Sequence, residues 1–112
     1  VREKAIETYL VKRVKEWGGK AFKFTSPGHR GVPDRIVCLP CRLFFVELKR
    51  PGGKLRPDQV AFHTLMERLR VPCFVVDTKA KVDALHTGVD TSWRKWVPPN
   101  AAERAAIEAM GL

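Results

Sequence analysis

Apolar residues recur at helical spacing at the start of the chain. Ile6, Leu10, Val14 and Trp17 form one stripe, and Lys12, Arg13 and Lys15 fall among the polar positions. This predicts an amphipathic helix over residues 2–17. Gly18-Gly19 ends it, because glycine tolerates the left-handed backbone common just past a helix. Ala21-Phe22-Lys23-Phe24-Thr25 fits a short strand, and the Gly- and Pro-rich stretch 26–33 breaks regular structure. Two β-prone apolar runs follow, Arg35-Ile36-Val37-Cys38-Leu39 and Leu43-Phe44-Phe45-Val46-Glu47-Leu48, joined by Pro40-Cys41-Arg42. So short a connection predicts a hairpin, and the nearly unbroken hydrophobicity predicts burial on both faces.

A turn at Pro51-Gly52-Gly53 leads to a helix from Pro57 to about Arg70, with Val60, Leu65 and Leu69 expected on its buried side. Residues 73–77 read as a further strand and residues 80–86 as a short helix. The predicted order is α-β-β-β-α-β-α, an α/β fold with a mixed sheet flanked by helices. From about Gly88 the character changes. Trp93 and Trp96 bracket Arg94-Lys95, and Pro98-Pro99 precede an Ala-rich helix that Asn100 can cap. Residues 1–87 are therefore read as the domain, and residues 88–112 as an extension packing on the core or on a second subunit.

Composition narrows the classes. The 112 residues carry 21 Lys and Arg against 12 Asp and Glu, a net charge of +9. Residues 1–60 hold 14 basic and 6 acidic side chains, whereas residues 61–112 hold 7 and 6. A basic surplus confined to one stretch points to a polyanion, most often nucleic acid. No window approaches the roughly 20 apolar residues of a membrane span, and no leader is visible, so a soluble intracellular protein is expected. Three cysteines are too few for a disulfide scaffold. Cys38 and Cys41 form C-x-x-C, but in a strand and a turn rather than at a helix start, and a zinc site lacks further ligands nearby. Reduced, partly buried thiols are expected.

The chemistry-bearing residues sit at the hairpin. Asp34 opens one strand, and Glu47 and Lys49 close the other. Residues two apart in a strand share a face, so antiparallel pairing would gather two carboxylates and an ammonium at one sheet edge. Paired carboxylates resist ionising together unless a cation lies between them, and oxygen ligands select Mg²⁺ or Mn²⁺. Such an ion would acidify a bound water and neutralise charge on a phosphodiester. A strand end that simply re-enters solvent would show the same E-x-K pair.

Gly31-Val32-Pro33-Asp34, twelve intervening residues and Glu47-Leu48-Lys49 resemble the PD-(D/E)xK nuclease signature. Gly18-Gly19, the KFTSPG and GVPDRIV runs, FFVELKRPGGKLRPDQ and the FVVD strand resemble VRR-NUC domains, in particular the stand-alone forms of phages and bacteria. The likeness spans residues 2 to about 87 and implies a restriction-endonuclease-like core.

It also implies roles. Asp34, Glu47 and the Leu48 carbonyl would hold Mg²⁺ or Mn²⁺, Lys49 would be the catalytic lysine, and Gln59 would support the site. Glu7 is similar in position to a helical glutamate of archaeal Holliday-junction resolvases and is expected as a further metal ligand, with Glu3 as the alternative. The 26–31 loop suits phosphate contacts through Ser26 and Arg30, and Lys23 and Arg50 join it as expected DNA contacts. His29 is assigned no chemistry. The expected activity is metal-dependent endonucleolytic cleavage of branched DNA by a homodimer, in a bacterial cytoplasm. A DNA-binding module without catalysis is the competing class. A nuclease acting on flaps or nicking duplex is the nearer alternative.

Overall fold

The computed structural model describes residues 2–86 and 100–109. The elements are helix α1 (Glu3–Glu16), strands β1 (Lys20–Lys23), β2 (Arg35–Leu39) and β3 (Arg42–Leu48), helix α2 (Pro57–Arg68), strand β4 (Cys73–Val76), and helices α3 (Lys79–Ala84) and α4 (Ala101–Ala109). The predicted order holds. Trp93 and Trp96 lie outside the described residues. The Asn100 cap is present, its Oδ1 accepting from the Glu103 N–H at 2.9 Å.

One four-stranded sheet runs β1-β2-β3-β4. The first two pairings are antiparallel, and β4 joins β3 in parallel after the α2 crossover. On one face Ala21, Val37 and Phe44 align across three strands, and Leu48 aligns with Val76. These residues are buried with Ile6, Leu10 and Val14 of α1 and with Val82 and Leu85. Tyr9 Oη and Arg13 Nε both donate to Asp83 Oδ1, at 2.8 and 3.0 Å, which fastens the α3 region to α1.

The opposite face departs from expectation. Burial on both faces was read from the apolar runs, yet Phe22 is 51% exposed and Leu43 53%. Among the described residues, the 12-residue α2 lies on this side and covers the part near Phe45. The phase of α2 also differs. Val60, Leu65 and Leu69 are exposed, while Gln59 and Phe62 are buried. The helix is turned so that Gln59 meets Glu47 and Phe62 meets Phe45 edge-on at 5.8 Å. A buried polar bond has displaced an aliphatic stripe.

Both long helices end in the same capping geometry. Past α1, Gly18 takes φ +83°, with its N–H on the Lys15 carbonyl and the Gly19 N–H on the Val14 carbonyl. Past α2, Arg70 takes φ +59° and makes the equivalent bonds, with Val71 reaching Met66. This is the paired closure of a Schellman motif, once with glycine and once without. All three cysteines are free. Cys38 and Cys73 are half-buried as expected, but Cys41 is exposed at the tip of the hairpin.

Candidate active site

The hairpin register builds the site. β2 and β3 pair from Leu39 with Arg42 to Arg35 with Val46. One step further places Asp34 opposite Glu47, and directly opposed residues share a face. Asp34 Oδ2 accepts from the Leu48 N–H at 2.7 Å, which holds its carboxylate between Glu47 and Lys49 in sequence. The Asp34 carbonyl accepts from the Phe24 N–H at 3.0 Å, so the end of β1 braces the same point.

Glu47 is the anomaly of the fold: a carboxyl only 2% exposed. Its Oε1 accepts from Gln59 Nε2 at 3.0 Å. Its Oε2 is buried with no hydrogen-bond partner among the described residues. Burial first, then the charge of Asp34, push its pKa up to about 8, against the opposing pull of Lys49 and Arg56. Burial favours the neutral form of such a carboxyl unless a cation lies against it. Lys49 is half-buried on the same face and has no ion pair or hydrogen bond of its side chain among the described residues.

Gln59 connects the site to α2. Its Oε1 accepts from the Arg56 N–H at 2.9 Å, closing the start of the helix, while its amide nitrogen serves Glu47. Two residues near the site were not read from the sequence. His63 Nε2 stands 3.9 Å from Glu47 Oε2, and burial lowers its pKa. Its Nδ1 lies 3.4 Å from Cys73 Sγ, a thiol pushed up to about 12 by burial and by Glu47. Arg56 is the other; its charge is felt at Glu47. The spacing of His63 from Gln59, one helical turn, was the available signal.

The loop before Asp34 is held in place. Phe24 stacks on Phe45 at 5.5 Å, and the His29 ring lies 6.2 Å from that of Phe62. Gly31 takes φ +82°, and a Cβ there would stand 2.4 Å from the Asp58 carbonyl oxygen, so loop and helix meet backbone to backbone. Lys23, Arg30 and Arg50 are exposed and Ser26 is half-buried, with no side-chain hydrogen bond or ion pair among the described residues.

Glu7 stands apart. It receives Arg35 Nε and Lys4 Nζ, each at 3.3 Å. Arg35 pairs with Val46 and so faces α1, away from Asp34 and Glu47. No contact joins Glu7 to those carboxylates among the described residues. Glu3 is exposed. Nor do the described residues contain a group of three or more His, Cys, Asp or Glu side chains placed to hold a metal. Asp34 and the orphaned Glu47 Oε2 are two oxygen donors, and two carboxylates suffice for an ion such as Mg²⁺ that keeps several waters.

No family model matches the sequence. The chain is 46% identical over 80 residues to "Putative nuclease p44" of Acyrthosiphon pisum secondary endosymbiont phage 1, covering 70% of this chain and 86% of that protein. Among solved structures it superimposes on one described as "VRR_NUC domain" with a TM-score of 0.71 and 29% identity, over 79% of this chain and all of the other. The sheet order, the Asp34–Glu47–Lys49 hairpin and these two likenesses agree: the chain belongs to the VRR-NUC family of PD-(D/E)xK nucleases.

Proposed function

We propose that the protein is a divalent-metal-dependent DNA endonuclease that cuts branched DNA, four-way junctions foremost, as a homodimer. The observation that carries this reading is Glu47: fully buried, half unpartnered, and set beside Asp34 with Lys49 on the same face. A protein that only bound DNA would gain nothing from such a group.

Asp34, Glu47 and the Leu48 carbonyl would hold Mg²⁺ or Mn²⁺. That ion would supply an acidified water and neutralise charge on the phosphodiester. Lys49, as an ammonium, orients the attacking water or sits against the phosphorane oxygens. Gln59 fixes the rotamer of Glu47. Ser26, Arg30 and Arg50 contact phosphates on either side of the cut; Lys23, expected to join them, pairs with Arg35 and projects from the opposite face of the sheet. The bond between Glu7 and Arg35, the residue after Asp34, supports a bracing role for Glu7 over that of a metal ligand.

The homodimer reading is supported by apolar residues left exposed, Val60 and Leu65 on α2, Leu69 just past its end, and Phe22 and Leu43 on the sheet. Two sites related by a twofold axis suit paired cuts across a junction. Among the described residues no helix is long and apolar enough to cross a membrane, and the reaction is assigned to the bacterial cytoplasm. The test is cleavage of labelled four-way junction, flap, duplex and single-stranded DNA in Mg²⁺, Mn²⁺ or EDTA. Metal-dependent cutting with a preference for the junction supports the reading. Equal cutting of plain duplex removes the branched-DNA element, and monomers alone in sedimentation, free and on a junction, remove the dimer.

A further inference from the structure

Arg56 stands immediately before α2, and its backbone N–H bonds Gln59, the residue that holds Glu47. Two hydrogen bonds through the Gln59 side chain therefore link the Arg56 backbone to the catalytic carboxylate. The Arg56 side chain is 62% exposed and is tied down by a single bond, Nε to Asp58 Oδ1 at 3.2 Å. Asp58 is itself oriented, its Oδ1 accepting from the Gln59 N–H at 3.0 Å.

This use of Nε leaves both terminal nitrogens of Arg56 free among the described residues. The other arginines with side-chain bonds are spent differently. Arg13 and Arg35 each commit Nε and one terminal nitrogen inside the protein, and Arg42 gives a terminal nitrogen to the Leu85 carbonyl. A guanidinium braced at Nε with its outer nitrogens open presents paired donors, the geometry that matches two oxygens of a phosphate. Gly31 brings the 26–31 loop into backbone contact with Asp58, the residue that holds the Arg56 Nε, and the charge of Arg56 is felt at Glu47.

We propose that Arg56 is a substrate-binding residue of this site, gripping a DNA phosphodiester beside Asp34 and Glu47 through its two outer nitrogens. The proposal rests on the nuclease reading above and adds a contact to it. Asp58 acts as the positioning residue: it fixes the direction of the guanidinium and touches no substrate.

The test measures binding of a labelled four-way junction by fluorescence anisotropy in EDTA, across a salt series, for wild type, Arg56→Ala, Arg56→Lys and Arg68→Ala. Arg68 is an exposed cation at the far end of α2 and is the control for general charge. Losing one phosphate contact makes the slope of log K against log salt shallower by about 1 and weakens binding about tenfold. Arg56→Ala is expected to show both. Arg56→Lys should keep the slope but recover only part of the affinity, because a lysine lacks the fork. Thermal melts check that the variants fold; should Arg56→Ala fail to fold, Arg56→Gln takes its place. If wild type binds and cuts while the folded Arg56 variant matches it, or matches Arg68→Ala, in slope and affinity, the proposal is overturned. Wild type that neither binds nor cuts DNA overturns the nuclease reading itself.

Discussion

Replacing Glu47 by Gln should make the metal-free protein more stable while removing its activity. A carboxyl that titrates near 8 instead of 4.5 is favoured in its protonated form by the fold. The sign follows from proton linkage: the folded state holds the proton more tightly, so this contribution is complete below the unfolded pKa and is lost as pH rises through the folded one. At 1.36 kcal/mol per pH unit the loss reaches about 4–5 kcal/mol by pH 8, and coupling to Asp34 brings the expectation down to about 2–4. Glu47→Gln keeps an oxygen for Gln59 Nε2 and removes the titration. At pH 8 in EDTA its melting temperature should exceed that of wild type by about 10–20 °C, and the difference should vanish near pH 4.5. His63, lowered by burial, titrates in the opposite sense below its usual range and is present in both proteins, so the difference curve reports Glu47 together with its coupling to His63. Mg²⁺ should stabilise wild type at pH 8 and leave the variant unmoved. Thermal unfolding by circular dichroism from pH 4.5 to 8.5 makes the measurement. Parallel curves over that window would refute the reasoning.

Other substitutions test the surrounding framework. Gln59→Leu leaves the second oxygen of Glu47 without a donor and should cost about 1–3 kcal/mol in urea unfolding, with kcat reduced at least tenfold. Gly31→Ala meets both a positive φ and the Asp58 carbonyl, so a loss of about 2–4 kcal/mol is expected, read as a melting point lower by 10 °C or more. Arg70→Gly should add about 0.5–1 kcal/mol, because glycine takes the left-handed closure of α2 without strain; Gly18→Ala should cost about as much. Denaturant midpoints of those two variants moving in the same direction would contradict the capping argument.

The sequence made the site more legible than its setting. Asp34, Glu47 and Lys49 could be brought together from the sequence, because the short Pro40-Cys41-Arg42 connection makes the two runs a hairpin and alternation fixes the faces. The order of elements and the Asn100 cap came from local signals of the same kind. The rotation of α2 was hidden, since aliphatic spacing pointed to Val60, Leu65 and Leu69, whereas the helix is oriented by a buried amide–carboxyl bond between residues twelve apart. Glu7 was placed by analogy of position, and its pairing with Arg35 depends on which face of β2 meets α1. Arg56 was also hidden: its neighbour Asp58 and the bond to Gln59 give it direction only once the helix start is built.

The central claim is that Asp34, Glu47 and Lys49 form one hydrolytic site acting on DNA. It is tested most directly by single-turnover cleavage of a four-way junction in Mg²⁺ or Mn²⁺, with DNA binding measured in parallel. Wild type should cut, and Asp34→Asn and Lys49→Ala should bind the junction nearly as well yet cut it about 10²–10⁴-fold more slowly. Cleavage that persists at the wild-type rate in both variants, or no cleavage of any DNA by the wild type, would contradict the account.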